Sequence, residues 1–131
     1  MESHVVAAKA CVQKCQDCST TCKKCAASCK NGICEIAEGK MSAQKCKDCI
    51  KACKDCISAC KAHLKDCDDE DCIEACKECI KKCEECIKAC EACAKECEAR
   101  GKNSATACTS CAKACEECVK ACNACIKNSC C

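Results

Sequence analysis

The sequence predicts an all-α protein, an antiparallel up-down-up-down four-helix bundle with a cysteine-lined core. Three observations predict it. Cys supplies 29 of the 131 residues, while Phe, Trp, Tyr and Pro are absent. The cysteines recur at alternating steps of three and four, which is the seam of a helix packed on other helices and not the two-residue step of a strand. The cysteine runs number four, parted by short stretches that carry Gly, Asn, Ser or Asp. A chain of this length suits one domain, so residues 1–131 read as a single unit.

Each run defines one helix. The first holds Cys11, Cys15, Cys18, Cys22, Cys25 and Cys29, and predicts a helix over 2–31 that Asn31-Gly32 ends in a left-handed cap. The second holds Cys46, Cys49, Cys53, Cys56, Cys60 and Cys67, with His63 in the slot between the last two. It predicts a helix over 42–67, with Ser42 as N-cap after a connector that includes Gly39. The third holds Cys72, Cys76, Cys79, Cys83, Cys86, Cys90, Cys93 and Cys97, for a helix over 69–100. Asp68 or Asp69 caps it, the acids Asp69, Glu70 and Asp71 suit its positive end, and Arg100-Gly101 closes it. The fourth holds Cys108, Cys111, Cys115, Cys118, Cys122 and Cys125, for a helix over 104–128 capped by Asn103 or Ser104. Short connections make neighbouring helices antiparallel.

Flanking positions agree with this register. An aliphatic shoulder follows the cysteine stripe, as at Val12, Ile50, Ile57, Ile80, Ile87, Val119 and Ile126. An Ala shoulder precedes it, as at Ala52, Ala59, Ala75, Ala89, Ala114 and Ala121, and permits close approach. Lys and Glu fill the remaining faces, giving a net charge of +2 from 22 basic and 20 acidic groups. Such interleaved charge is a solvated helix surface, so no nucleic-acid partner is expected. No stretch is apolar enough to span a membrane, and the N-terminus has no basic region followed by an apolar run. The expected compartment is therefore the reducing cytoplasm, where thiols stay free.

Twenty-six cysteines lie on the grid; Cys34, Cys130 and Cys131 lie off it. Antiparallel folding stacks the grid cysteines in layers of about four thiols, spaced about 5 Å along the axis. Disulfides fit poorly. Side chains three or four apart on one helix are too widely spaced to bond, and four equivalent thiols per layer would not specify one pairing. Cys as plain apolar filler also fits poorly, because Leu buries more area and favours helix more. Soft sulfur ligands select soft metals.

Charge narrows the choice of metal. Buried thiols without counterions must be neutral. Cu(I) replacing one proton per thiol leaves that neutrality intact. Zn(II) or a [4Fe–4S] cubane with four thiolates leaves two negative charges at each site, about −12 over six filled layers. Many Cu(I) ions are therefore the expected cargo. [4Fe–4S] clusters stacked along the axis, for cluster binding or electron transfer, and Zn(II) or cadmium sequestration are the alternatives. With two His and no triad, phosphate loop or nucleotide fingerprint, no enzyme is expected.

A bundle with cysteine along its whole core resembles the bacterial copper storage proteins. The resemblance rests on the serial CxxxC and CxxC pairs Cys11/Cys15/Cys18, Cys46/Cys49/Cys53, Cys72/Cys76/Cys79 and Cys111/Cys115/Cys118, and covers nearly the whole chain. It implies a cytosolic or exported Cu(I) store, held by thiolates, commonly as a tetramer of bundles. A copper chaperone would be a fitting partner. The high cysteine count and the lack of aromatics depart from the family pattern, and four thiols per layer keep the iron–sulfur reading open.

Residues at the helix ends complete the candidate set. Met1, His4, His63, Cys67, Cys72, Cys125, Cys130 and Cys131 are expected together at one end, where His and Met would hand metal in and out. Met41, Cys34, Cys46, Cys97 and Cys108 are expected at the other.

Overall fold

The computed structural model describes residues 3–129, and within them the cysteine periodicity becomes four helices: α1 (Ser3–Ser28), α2 (Ile36–Leu64), α3 (Glu70–Ala99) and α4 (Ser104–Lys127). They pack in a ring, α1 on α2, α2 on α3, α3 on α4 and α4 on α1. The sulfur contacts fix the directions. Cys11, Cys15 and Cys18 of α1 meet Cys53, Cys49 and Cys46 of α2, so one index rises as the other falls. Cys83, Cys86 and Cys90 of α3 likewise meet Cys118, Cys115 and Cys111 of α4. Across the diagonal, Cys11 and Cys18 meet Cys83 and Cys90 in parallel register. This is the up-down-up-down bundle.

The core follows from the seam. Among the described residues, the buried apolar set contains only Cys and Ala. Val12, Ile50, Ile57, Leu64, Ile80, Ile87, Val119 and Ile126 are half-buried against it. The shoulders thus seal the gaps between helices and leave the axis to sulfur. Ion pairs tie neighbours at the surface, Lys23 to Glu116 across α1/α4 and Lys47 to Glu98 at 2.6 Å across α2/α3. Exposed pairs of this kind contribute little, about 0–1 kcal/mol each.

Three boundaries differ from the sequence reading. The first helix ends at Ser28, because Asn31 and Gly32 form a turn and not a helix cap. Both have positive φ, and Lys30 and Ile33 exchange backbone hydrogen bonds of 2.9 and 3.0 Å across them. A Cβ on Gly32 would strike the Lys102 carbonyl, and the Gly32 carbonyl accepts from Ala105 N–H at 3.0 Å. This turn therefore rests on the start of α4. The second helix starts at Ile36, six residues before Ser42, so Ser42 is not an N-cap. At the far end α2 stops at Leu64, which leaves Cys67 in the connector.

Of the remaining end signals, Asp69 acts as read, while neither Asn103 nor Ser104 caps α4 through its side chain. Asp69 caps α3 through its side chain, accepting from Cys72 N–H at 3.0 Å. The left-handed residue that closes α3 is Arg100 and not Gly101. Its guanidinium donates to the Cys34 carbonyl, at 3.3 Å from both Nε and Nη2, which anchors an unfavourable backbone conformation. Asn103 precedes α4 without a side-chain cap, and Ser104 Oγ donates to the Gly101 carbonyl at 2.6 Å.

Candidate metal centre

Because every helix turns its seam inward, the sulfur atoms form one column. In one layer Cys11 Sγ lies 3.6 Å from Cys53, 3.9 Å from Cys83 and 3.9 Å from Cys118. The next layer joins Cys15 to Cys49 at 3.3 Å, Cys49 to Cys86 at 3.7 Å and Cys86 to Cys115 at 3.7 Å. The third joins Cys18 to Cys46, Cys90 and Cys111 at 3.7, 4.0 and 3.8 Å. In the Cys11 and Cys18 layers the diagonals are nearly as short as the edges. A flat square cannot give that, so those sets of four are puckered towards a tetrahedron.

These separations match ligands around single metal ions. A metal–sulfur bond of about 2.3 Å puts tetrahedral sulfurs about 3.8 Å apart and trigonal ones about 4.0 Å apart. Along one helix the CxxxC pairs Cys11/Cys15, Cys18/Cys22, Cys86/Cys90 and Cys118/Cys122 span 3.8, 3.9, 3.9 and 3.9 Å. A disulfide needs about 2.0 Å, and the described cysteines are free thiols.

Neighbouring sites overlap. Ligand groups made only of Cys include Cys11/Cys15/Cys53/Cys118, Cys11/Cys83/Cys118/Cys122, Cys15/Cys49/Cys53/Cys86 and Cys18/Cys49/Cys90/Cys115. Cys11, Cys15, Cys49, Cys53 and Cys118 each serve two of them. A thiolate shared by two sites is a bridging ligand, so the column is suited to a continuous metal array.

Charge is excluded from it. Among the described residues no Lys, Arg, Asp or Glu is buried. Desolvation pushes the Cys25 thiol up to about 11 from an ordinary 9.0 and raises Cys76 and Cys29 as well. Deeper in, hydrogen bonding led by Cys11 holds the proton on Cys15, and hydrogen bonding led by Cys111 holds it on Cys90, with burial adding to both. The accepting thiols Cys11 and Cys18 shift down, under donors led by Cys118 and Cys111.

The expected cysteines are mostly buried. Of those described, all are buried except Cys29 and Cys67, which are half-buried. Cys29 lies just past α1 and donates to the Cys25 carbonyl at 3.1 Å. Cys67 lies past α2, with its Sγ 3.9 Å from the Asp69 carbonyl. Cys34, which is off the grid, is fully buried, 3.6 Å from the Cys97 carbonyl. His4, His63 and Cys72 gather at one end as expected, joined by Cys76, which was not placed there, and His4 and His63 stack with ring centroids 3.8 Å apart. Met41 does not join the other end; it is exposed on α2. Met1, Cys130 and Cys131 lie outside the described residues.

Four further residues on the helix stripes are buried and escaped the sequence reading: Ala8, Gly39, Ser42 and Ser104. Ser42 Oγ lies 3.4 Å from Cys22 Sγ, 3.5 Å from Cys93 and 3.7 Å from Cys108, in a cysteine's place. The signal was present, since each stands three or four residues before the next member of its stripe: Ala8 before Cys11, Ser42 before Cys46, Gly39 before Ser42, Ser104 before Cys108.

No family profile, curated protein or solved structure matches this chain. The clustered core thiols therefore carry the functional argument, and what they support is metal sequestration. No described helix is long and apolar enough to cross a membrane.

Proposed function

We propose that this protein stores Cu(I), with the thiolates of the column as ligands and roughly one ion per thiolate. The observation that carries the reading is the sharing of cysteines between adjacent ligand groups inside a core without buried charge. A monovalent ion that replaces one thiol proton keeps such a core neutral at any loading. A divalent ion in an all-Cys site does so only where every thiolate bridges. Soft sulfur suits Cu(I), and separations of 3.3–4.0 Å suit trigonal or tetrahedral sites joined by bridging thiolates. An iron–sulfur cubane is supported less. Sulfurs already in mutual contact admit a single ion between them, and a cluster of four irons and four sulfides would force the helices apart.

The resemblance to bacterial copper storage proteins extends the reading to a cytoplasmic store, a copper chaperone as donor and a tetramer of bundles. Nothing in the column requires catalysis, so the role proposed is homeostatic and not enzymatic. Anaerobic titration against a chromophoric Cu(I) chelator tests it. Uptake of roughly 20 or more ions per chain is expected, with about one proton released per ion. Saturation at a handful, or a brown iron-bearing protein from anaerobic purification, would sink it.

A further inference from the structure

We infer that His4, His63, Cys72 and Cys76 form a separate site for one tetrahedral divalent ion of the zinc class. Three helices build it: His4 comes from the first turn of α1, His63 from the last turn of α2, and the Cys72/Cys76 pair from the start of α3. Their ligand atoms all lie within 4.8 Å of one another, and His63 Nε2 is 3.2 Å from Cys72 Sγ. Zinc–sulfur and zinc–nitrogen bonds of about 2.3 and 2.0–2.1 Å put such atoms about 3.6 Å apart. The stacked imidazoles, inclined by 19°, need only turn about their side-chain bonds for both to face one ion. The Asp69 cap on Cys72 N–H fixes where that thiol begins.

Electroneutrality selects the ion, in the opposite sense to the column. Two neutral imidazoles and two thiolates balance a charge of two. A monovalent ion there would be neutral only with one thiol still protonated, and so could not use all four ligands. Two nitrogens with two sulfurs are also a common zinc donor set. The adjoining chain carries Asp66, Asp68, Asp69, Glu70 and Asp71 against Lys65, a field that concentrates cations of higher charge. Cys76 Sγ is 3.7 Å from Cys125, and Cys125 is 4.0 Å from Cys60. The ion would therefore close the last layer of the column and clasp the start of α1 to the α2–α3 corner.

The inference does not require that copper fill the column. The test uses the full apo chain under anaerobic conditions, with Co(II) as spectroscopic probe and Zn(II) as competitor. One equivalent of Co(II) should give the absorption of a tetrahedral ion with mixed sulfur and nitrogen ligands, and one equivalent of Zn(II) should abolish it. In the His4→Gln/His63→Gln variant, Zn(II) affinity at this site should fall by about a hundredfold or more. Cu(I) capacity there should stay within about two ions of the parent, which also shows that the column has folded. Cys72→Ser should remove one sulfur-to-cobalt charge-transfer contribution. An unchanged cobalt spectrum in the double variant, or no tight zinc equivalent in the parent, overturns the inference. Many equally tight zinc equivalents overturn both this inference and the copper reading. A single zinc with little copper uptake overturns only the copper reading.

Discussion

Cys34 Sγ occupies the space that a side chain on Gly39 would fill: a Cβ built on Gly39 would sit 2.6 Å from that sulfur and 3.4 Å from the Cys97 carbonyl. Gly39 thus holds a place in the cysteine seam of α2 without a side chain, and a thiol from the preceding turn fills it. Substituting Gly39→Ala should destabilise the apo protein by about 1–3 kcal/mol, because the buried sulfur has nowhere to go. In a Cys34→Ala background the same change should instead stabilise by about 0.5–1 kcal/mol, the ordinary gain of Ala over Gly inside a helix. Denaturant unfolding of the four proteins in this cycle checks the sign reversal. Equal effects in both backgrounds would mean that the two residues do not share the space.

Asp69 acts on α3 at a single atom, the Cys72 amide. Asp69→Ala should lower apo stability by about 0.5–2 kcal/mol, while Asp69→Asn should cost less because Asn also caps well. Asp68→Ala serves as the neighbouring control and should be close to neutral. Urea midpoints at constant m-value would reveal the difference.

These two positions show what was legible in the sequence. Alternation of three and four placed the stripe residues on one face regardless of side-chain chemistry, so the bundle and its core followed from Cys11 to Cys125. Asp69 was readable because a cap depends on local backbone alone. Ser42 and Gly39 misled for the same reason. Both residue types favour helix ends and turns, and only the tertiary requirement for a small group beside Cys93 and Cys34 holds them inside α2. The sequence placed Cys34 at the Cys97 end of the bundle but not in the core, because it lies off the grid and reaches the core from a loop. Its position depends on the Asn31-Gly32 turn and on the Arg100 contact to its carbonyl.

Alkaline pH should loosen the apo protein. Desolvation raises Cys25 from 9.0 to about 11 in the folded chain and shifts Cys29 and Cys76 upward. A folded-state pKa above the unfolded one means that the native state holds its proton longer. The stability this provides is complete below pH 9 and is lost as pH climbs towards 11. The apo melting temperature should therefore fall over that window, and copper-loaded protein, whose thiols have already given up their protons, should show a weaker dependence. A flat apo profile would contradict the assignment of buried neutral thiols at these sites.

Copper should also change the stability itself. Ions held by several helices bind the native state far better than the unfolded chain, and such linkage raises the free energy of unfolding with every equivalent bound. Calorimetric scans under anaerobic conditions should show the melting temperature climbing in steps with Cu(I) added. An unchanged midpoint at full loading would show that the ions sit outside the column.

Ser42 tests where the array of ions ends. Its hydroxyl lies 3.4 Å from Cys22 Sγ, 3.5 Å from Cys93, 3.7 Å from Cys108 and 3.8 Å from Cys97, so it interrupts the sulfur lattice at a position where four thiols converge. Oxygen is a poor ligand for a soft monovalent ion. Ser42→Cys should therefore add about one Cu(I) and one released proton per chain. Ser42→Ala should leave the capacity unchanged and cost about 1 kcal/mol through the lost hydrogen bonds. Capacity is the discriminating readout, because both substitutions perturb packing while only one supplies a ligand. If Ser42→Cys gains no ion, the array stops short of this layer, and Cys22, Cys93, Cys97 and Cys108 are packing residues.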